Sequence, residues 1–184
     1  MSLIVLGVLE FSSIAIGIKV LDEMVKTAPI NIIEAKTMCP GKYLIVFSGD
    51  VASVEYSYNK GHEVGKNYLV DSLYLPLIHQ DVVPAIGNIV ESKEWNTIGI
   101  IETLSVVSAI EAADIAAKVG GVKIIEVRLA IGFGGKSYVK MMGSLDDVQA
   151  ANSEAVERAK EKNQFLLDVV IPQPHNEIKP FFMK

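Results

Sequence analysis

The sequence predicts an α/β chain of the α+β kind, two tandem ferredoxin-like copies, each ordered β-α-β-β-α-β. Two observations carry this expectation. First, the chain repeats itself: "GVLEFSSIAIGIKVLDEMVKTAPINIIEAK" (7–36) aligns without gaps on "GIIETLSVVSAIEAADIAAKVGGVKIIEVR" (99–128), an offset of 92, with nine of 30 positions identical. Second, within each copy short apolar runs alternate with two helical periodicities in the same order. After the aligned window the register slips by two, so that "GKYLIVFSGD" meets "GKSYVKMMGS". It slips by two again, so that Pro76 and His79 meet Pro172 and His175. Loops tolerate slips of that size, and self-similarity at a fixed offset signals repeated structure. The copies span residues 5–90 and 97–180, with the polar "ESKEWNT" (91–97) as linker.

Each copy opens on a short apolar strand, 4–10 or 97–103, leading to a serine, Ser13 or Ser105, able to N-cap a helix. The first helix places Ile14, Ile18, Leu21 and Val25 on one face and stops at Thr27-Ala28-Pro29, because proline cannot continue it. Its counterpart is rich in small residues, among them Ala109, Ala113 and Ala117, and stops at Gly120-Gly121. Two strands follow, 30–38 and 42–48, joined by a Cys-Pro-Gly turn; in the second copy they are 122–130 and 136–142, joined by "IGFGG". A second helix (51–66; 146–162) and a last strand (68–75; 165–171) complete each copy.

Composition narrows the function classes. A chain of 184 residues with 50% hydrophobic content can bury an ordinary core. Its net charge of -5 and pI near 5.2 leave no basic footprint, so nucleic acid is not an expected partner. The mean hydropathy of +0.34 is high, yet the longest stretch without Asp, Glu, Lys or Arg is nine residues, too short to span a bilayer. No membrane partner is expected, and no signal peptide is legible at the N-terminus. The excess apolarity points to an obligate oligomer, whose interfaces resemble a core cut in half. A single cysteine, Cys39, allows no internal disulfide and fits a reducing compartment.

Several stretches could carry chemistry. "AIGFGGKS" (130–137) meets the phosphate-loop pattern except at its first position, but such a loop must open a helix, and the repeat places a strand after it. A glycine-rich turn is the expectation. His62, His79 and His175 show no metal-ligand spacing with one another or with Cys39, and His79 and His175 occupy equivalent positions, which suggests a shared structural or interface role. Glu10 and Glu102 end matching strands and read as architecture. No Ser-His-Asp or paired-carboxylate arrangement stands out, so no catalytic residue is assigned and no enzymatic activity is expected. Cys39 stays open among three readings: a buried apolar residue, a reactive thiol whose thiolate Lys42 would favour, or one ligand of something shared between chains.

Each copy resembles a bacterial microcompartment (BMC) shell domain. The resemblance rests on G-[VI]-[LI]-E after the first strand, "LDEMVKTA" and "AADIAAKVG" in the first helix, the glycine-rich strand-strand turn, and a terminal "PQPH" (172–175) matched by "PLIH" (76–79). It covers essentially the whole chain. Two tandem copies resemble the trimeric shell proteins, in which three chains form a pseudohexameric tile. "CPGK" (39–42) with "GFGGK" (132–136) is similar to the iron–sulfur type from propanediol-utilising compartments. The resemblance implies that the turns line a central pore, through Met38, Pro40, Gly41, Lys42, Phe133, Gly134, Gly135 and Lys136. It implies one [4Fe–4S] cluster per trimer, held by three Cys39 thiolates. It also implies tile-edge contacts at Lys26, Lys118, His79 and His175, with other shell proteins alongside and enclosed redox enzymes as further partners, in a shell within the cytoplasm. Both terminal segments lack the arginine of the family's edge motif.

Overall fold

The computed structural model describes residues 5–132 and 134–184. Seven consecutive buried residues make β1 (Val5–Phe11), the strand around which the first unit is built. It pairs antiparallel with β3 (Lys42–Gly49) on one side and β4 (Leu69–Leu75) on the other, while β2 (Asn31–Met38) closes the sheet beyond β3, in the order β2-β3-β1-β4. Helices α1 (Ile14–Thr27) and α2 (Val51–Gly65) lie on one face of it. The second unit repeats this with β5 (Thr97–Thr103), α3 (Val106–Val119), β6 (Val122–Arg128), β7 (Ser137–Gly143), α4 (Leu145–Glu161) and β8 (Phe165–Ile171), in the order β6-β7-β5-β8.

Local signals set these elements as the sequence implies. Ser13 and Ser105 are the N-caps of α1 and α3, accepting from Ile16 N and Ser108 N at 3.4 and 3.1 Å. The duplication extends to irregularities. The β2–β3 register shifts between Ile32 and Glu34, and β6–β7 shifts at the equivalent Ile124 and Glu126. A bulge repeated in both copies is a designed feature of the backbone.

The inward face of α1 differs from the stripe expected to be its apolar side. Gly17, Val20 and Met24 are buried, whereas Ile14, Ile18 and Val25 are exposed. Volume decides this. A Cβ on Gly17 would lie 2.5 Å from Tyr43, and one on Gly65 in α2 would lie 2.2 Å from the Phe11 ring. Large sheet residues thus occupy notches cut in the helices. The second copy meets the same constraint in reverse: Ala109 and Ala159 replace the glycines, while Ser137 and Thr103 replace Tyr43 and Phe11. Where the sheet residue is small the helix can carry a Cβ, and where it is a large ring the helix carries glycine.

The second unit has more cover. The repeat assigns 79–90 to the first copy, but the chain divides after Ile78, and this segment packs on β6. Ile86 bridges Val127, Ile89 bridges Glu126, and Gly87 and Val90 donate to the carbonyls of Val127 and Ile125. The face opposite the helices buries Ile98, Ile125 and Met142 under Phe182 of a short C-terminal helix, α5 (Lys179–Phe182), with Trp95 beside it. Lys140 anchors that helix by donating to the Phe182 carbonyl at 2.7 Å while sitting 2.7 Å from the fully buried Glu126. In the first copy Val46 stands opposite Glu34 at this register, and Glu34 is half-buried with Lys36 at 2.6 Å.

On α3, Glu111 is buried yet bonded at 2.8 Å by both Arg158 of α4 and Lys162, the residue that caps its C-terminus. Burial opposes its ionisation, but the hydrogen bonds and charges of Lys162 and Arg158 outweigh it and hold the carboxyl below its usual range. A depressed folded pKa contributes stability above the unfolded value of 4.5, and the contribution disappears as pH falls through the folded value. Glu111→Gln is therefore expected to lower the thermal midpoint at pH 7 relative to wild type, at matched protein concentration, and to lower it little at pH 3; an equal loss at both would contradict this. Gly65→Ala is expected to destabilise by about 1–2 kcal/mol, because overpacking against Phe11 exceeds the helix-propensity gain. Denaturant midpoints at unchanged m-value are the measure.

Candidate functional site

β2 ends at buried Met38 and β3 restarts at Lys42, its directly paired partner, so three residues make the turn. Cys39 is half-buried, and Pro40 and Gly41 are exposed. The Cys39–Pro40 peptide is cis. Gly41 has a φ of 78°, a left-handed conformation that favours glycine, and a Cβ there would meet nothing within 4 Å. The turn therefore projects into open space on the single chain.

Lys42 has an ion-pair partner within the sheet. Its Nζ donates to Glu10 Oε1 at 2.7 Å, and the Glu10 side chain is only 1% exposed. The expected thiolate-favouring charge is thus committed to a carboxylate at the end of β1. The second copy has the same pair in weaker form: Lys136 lies 3.9 Å from Glu102, and both are substantially exposed. Glu10 and Glu102 are architectural, holding the turn lysines.

The second turn is longer, running from Leu129 to Lys136. Gly132, Gly134 and Gly135 all have positive φ, and β7 follows directly, so no helix opens there and a phosphate cradle does not form. Ser137 Oγ donates to the Arg128 carbonyl and closes the neck of the loop. Ile131, Gly134 and Lys136 are exposed, Gly135 is buried, and Phe133 lies outside the described residues.

The remaining predicted residues are separate from the turns. Lys26 pairs with Asp22, and Lys118 with Asp114, each at 2.5 Å, so the repeat preserves both members of an i,i+4 pair. The hydrogen bond and charge of Asp22 raise the Lys26 pKa. Asp114 also accepts from the His79 amide at 2.8 Å. His79 and His175 do the same local job: each Nδ1 accepts the backbone amide two residues on, from Asp81 at 3.4 Å and from Glu177 at 3.3 Å. His62 packs against the Tyr58 ring, and burial lowers its pKa. Among the described residues, no group of three or more His, Cys, Asp or Glu could hold a metal ion. One chain brings one thiol.

Two charged groupings escaped the sequence reading, Glu126–Lys140–Arg128 and Glu111–Arg158–Lys162. The signal for the second was available, since Glu111 is a charge in the middle of an alanine-rich helix, flanked by Ile110 and Ala112.

A family model described as BMC domain matches twice, at residues 5–78 and 97–174. The chain belongs to the BMC domain family. The bacterial microcompartment shell protein PduT of Citrobacter freundii is 41% identical over 173 residues, 94% of each chain. A crystal structure of a microcompartment protein from Desulfitobacterium hafniense superposes with a TM-score of 0.89 at 38% identity, covering 97% of this chain and 99% of that one. A fused permuted hexameric shell protein, MSM0275 of the RMM microcompartment, shares the fold at 19% identity and a TM-score of 0.66, over 87% of this chain and 85% of that one. The chain is accordingly a protein of the microcompartment shell, with two BMC domains, each a four-stranded sheet under two helices.

In this BMC chain the two turn lysines differ in burial, and their removal should differ with it. Lys42→Met leaves Glu10 buried without its cation, with an expected loss on the order of 3 kcal/mol. Lys136→Met is expected to change stability by about 0–1 kcal/mol, as for an exposed pair. Urea unfolding of the two variants compares them directly, and equal losses would contradict the assignment.

Proposed function

We propose that this BMC chain is a structural tile rather than an enzyme, in a shell within the cytoplasm, and that three chains close a pseudohexamer around a pore. The turns at 38–42 and 129–136 line that pore. Three Cys39 thiolates, one per chain, hold a single [4Fe–4S] cluster there. The observation that carries this reading is the position of the sole cysteine: it begins an exposed three-residue turn in one copy only, so threefold symmetry multiplies it to three.

The residues present fit such a group. Thiolates are the usual ligands of iron–sulfur clusters, normally four, so three would leave one iron without protein sulfur. The turn is narrow, and the space off Gly41 is open to neighbouring chains. A cluster held there supplies one-electron chemistry, suited to electron passage across the shell or to cluster delivery to enclosed redox enzymes. The chain's own contribution is positional. The Glu10–Lys42 pair fixes the base of the turn and keeps its cation occupied, so Cys39 rather than Lys42 is the reactive group offered at the tip. Neighbouring turn amides would tune a bound cluster by hydrogen bonding.

Protein purified or reconstituted anaerobically is expected to run at three times 20.0 kDa by light scattering and to be brown. It should contain iron that Cys39→Ser loses without loss of the trimer. A colourless, iron-free wild-type trimer after reconstitution would leave a tile with a plain metabolite pore and remove the cluster.

A further inference from the structure

We propose that residues 175–184 form a strap, latched by Lys140, that opens and closes over the apolar face of the second unit while the rest of that unit stays folded. The segment leaves β8 through Pro172 and Pro174, whose carbonyls accept from Thr97 Oγ1 and the Trp95 indole at 3.0 Å each. Beyond them it makes a tight turn (Asn176–Ile178) and then α5. α5 has only four residues, far below the length at which a helix holds itself together. Its place must therefore come from what it touches. Phe182 is the one buried residue of the strap, packed with Ile98, Ile125 and Met142 and set edge-on to Trp95 at 5.7 Å between ring centroids. Its neighbour Phe181 is 73% exposed, and Ile178 is exposed as well.

Lys140 supplies the polar half of the contact. An ammonium has three protons to donate, and this one reaches Glu126 Oε2 at 2.7 Å and the carbonyls of Phe182 and Lys184 at 2.7 and 3.4 Å. Two of those three acceptors belong to the strap. The Lys140 side chain is 10% exposed, so the closed strap is what satisfies its ammonium away from water. When the strap lifts, water replaces the two carbonyls, and Lys140 keeps Glu126, which Arg128 also bonds at 3.0 Å. Opening thus strands no buried charge. It also takes no strand from the sheet, because β8 ends at Ile171, and the one other side-chain bond, from Lys179 Nζ to the Lys93 carbonyl, is exposed. A contact this small and separable is the kind that opens locally, at a free energy below that of global unfolding. The first copy has Val46 where Lys140 stands, and so no latch. In the open state Ile98, Ile125 and Met142 meet solvent beside the freed Phe182, so this surface of the unit is apolar only on opening.

The experiment is maleimide labelling of the full chain in a Cys39→Ser background, with far-UV circular dichroism as the check on folding. Ile98→Cys places a thiol beneath the strap, and Ile101→Cys places one on the other side of the same strand. Below the urea concentrations that unfold the protein, the thiol at 98 is expected to label about tenfold or more faster than that at 101, at a rate that urea hardly changes. Adding Phe182→Ala is expected to speed labelling at 98 by about a further tenfold and to leave 101 unchanged. It should also shift the emission of Trp95, the only tryptophan, to the red. Lys140→Met combined with Glu126→Gln, which removes both members of the buried pair, is expected to speed labelling at 98 in the same way. Equal rates at 98 and 101 with the same steep urea dependence mean that the strap leaves only when the whole unit unfolds, and overturn the inference. A Phe182→Ala variant labelled no faster at 98 overturns it as well. An unchanged rate in the lysine variant overturns the latch. Should that variant fail to fold, Lys140→Arg, which keeps the charge but not the compact ammonium, decides in its place by the same reading.

Discussion

Glu10 sits at the end of β1 with its carboxylate withdrawn from water and the Lys42 ammonium 2.7 Å away. A buried charge that loses its partner is strongly destabilising, so this pair must form whenever the unit folds. It joins the centre of the sheet to the base of the β2–β3 turn, and it does so at one register, with Glu10 opposite Leu44 and Phe11 opposite Tyr43. The placement of Cys39 follows. The residue three positions before Lys42 can lie only at the start of a short projecting turn. The thiol thus lies three residues from a lysine tied to the central strand of the unit.

The two copies divide their duties by small changes on a common plan. The second copy keeps the carboxylate–lysine pair but lets it open to 3.9 Å, and replaces the cysteine turn by a longer glycine-rich loop. It adds a buried Glu126–Lys140 contact that holds the C-terminal helix over the sheet, where the first copy has Val46 and nothing to anchor. The first copy instead leaves an apolar helix face open. That open face holds part of the chain's excess of hydrophobic residues, and no described helix is long and apolar enough to cross a membrane.

Much of the fold was legible because its determinants are local. Serine caps, Pro29, the Gly120-Gly121 stop and the alternating apolar runs place all eight strands and four long helices to within a residue or two. The cysteine turn was legible for the same reason, since Pro-Gly between two β runs can only be a turn. The family followed from the same duplicated motifs. The partner of Lys42 was not legible, because Glu10 is 32 residues away and its proximity depends on strand pairing. The packing of segment 79–90 on β6 was not legible either: its bonds to β6 are made by the backbone, which leaves no trace in side-chain pattern.

By itself, then, the sequence determined the duplication, the order of elements and the single thiol at a turn, all properties of neighbours along the chain. Only the tertiary structure decided which face of α1 turns inward. Periodicity marks Ile14, Ile18, Leu21 and Val25 as an apolar face but cannot rank it against Gly17, Val20 and Met24. The Tyr43 ring ranks them, because it needs the space that a missing Cβ at Gly17 provides. Volume matched across a sheet and a helix is a property of pairs distant in sequence, and it exists only once the chain has folded.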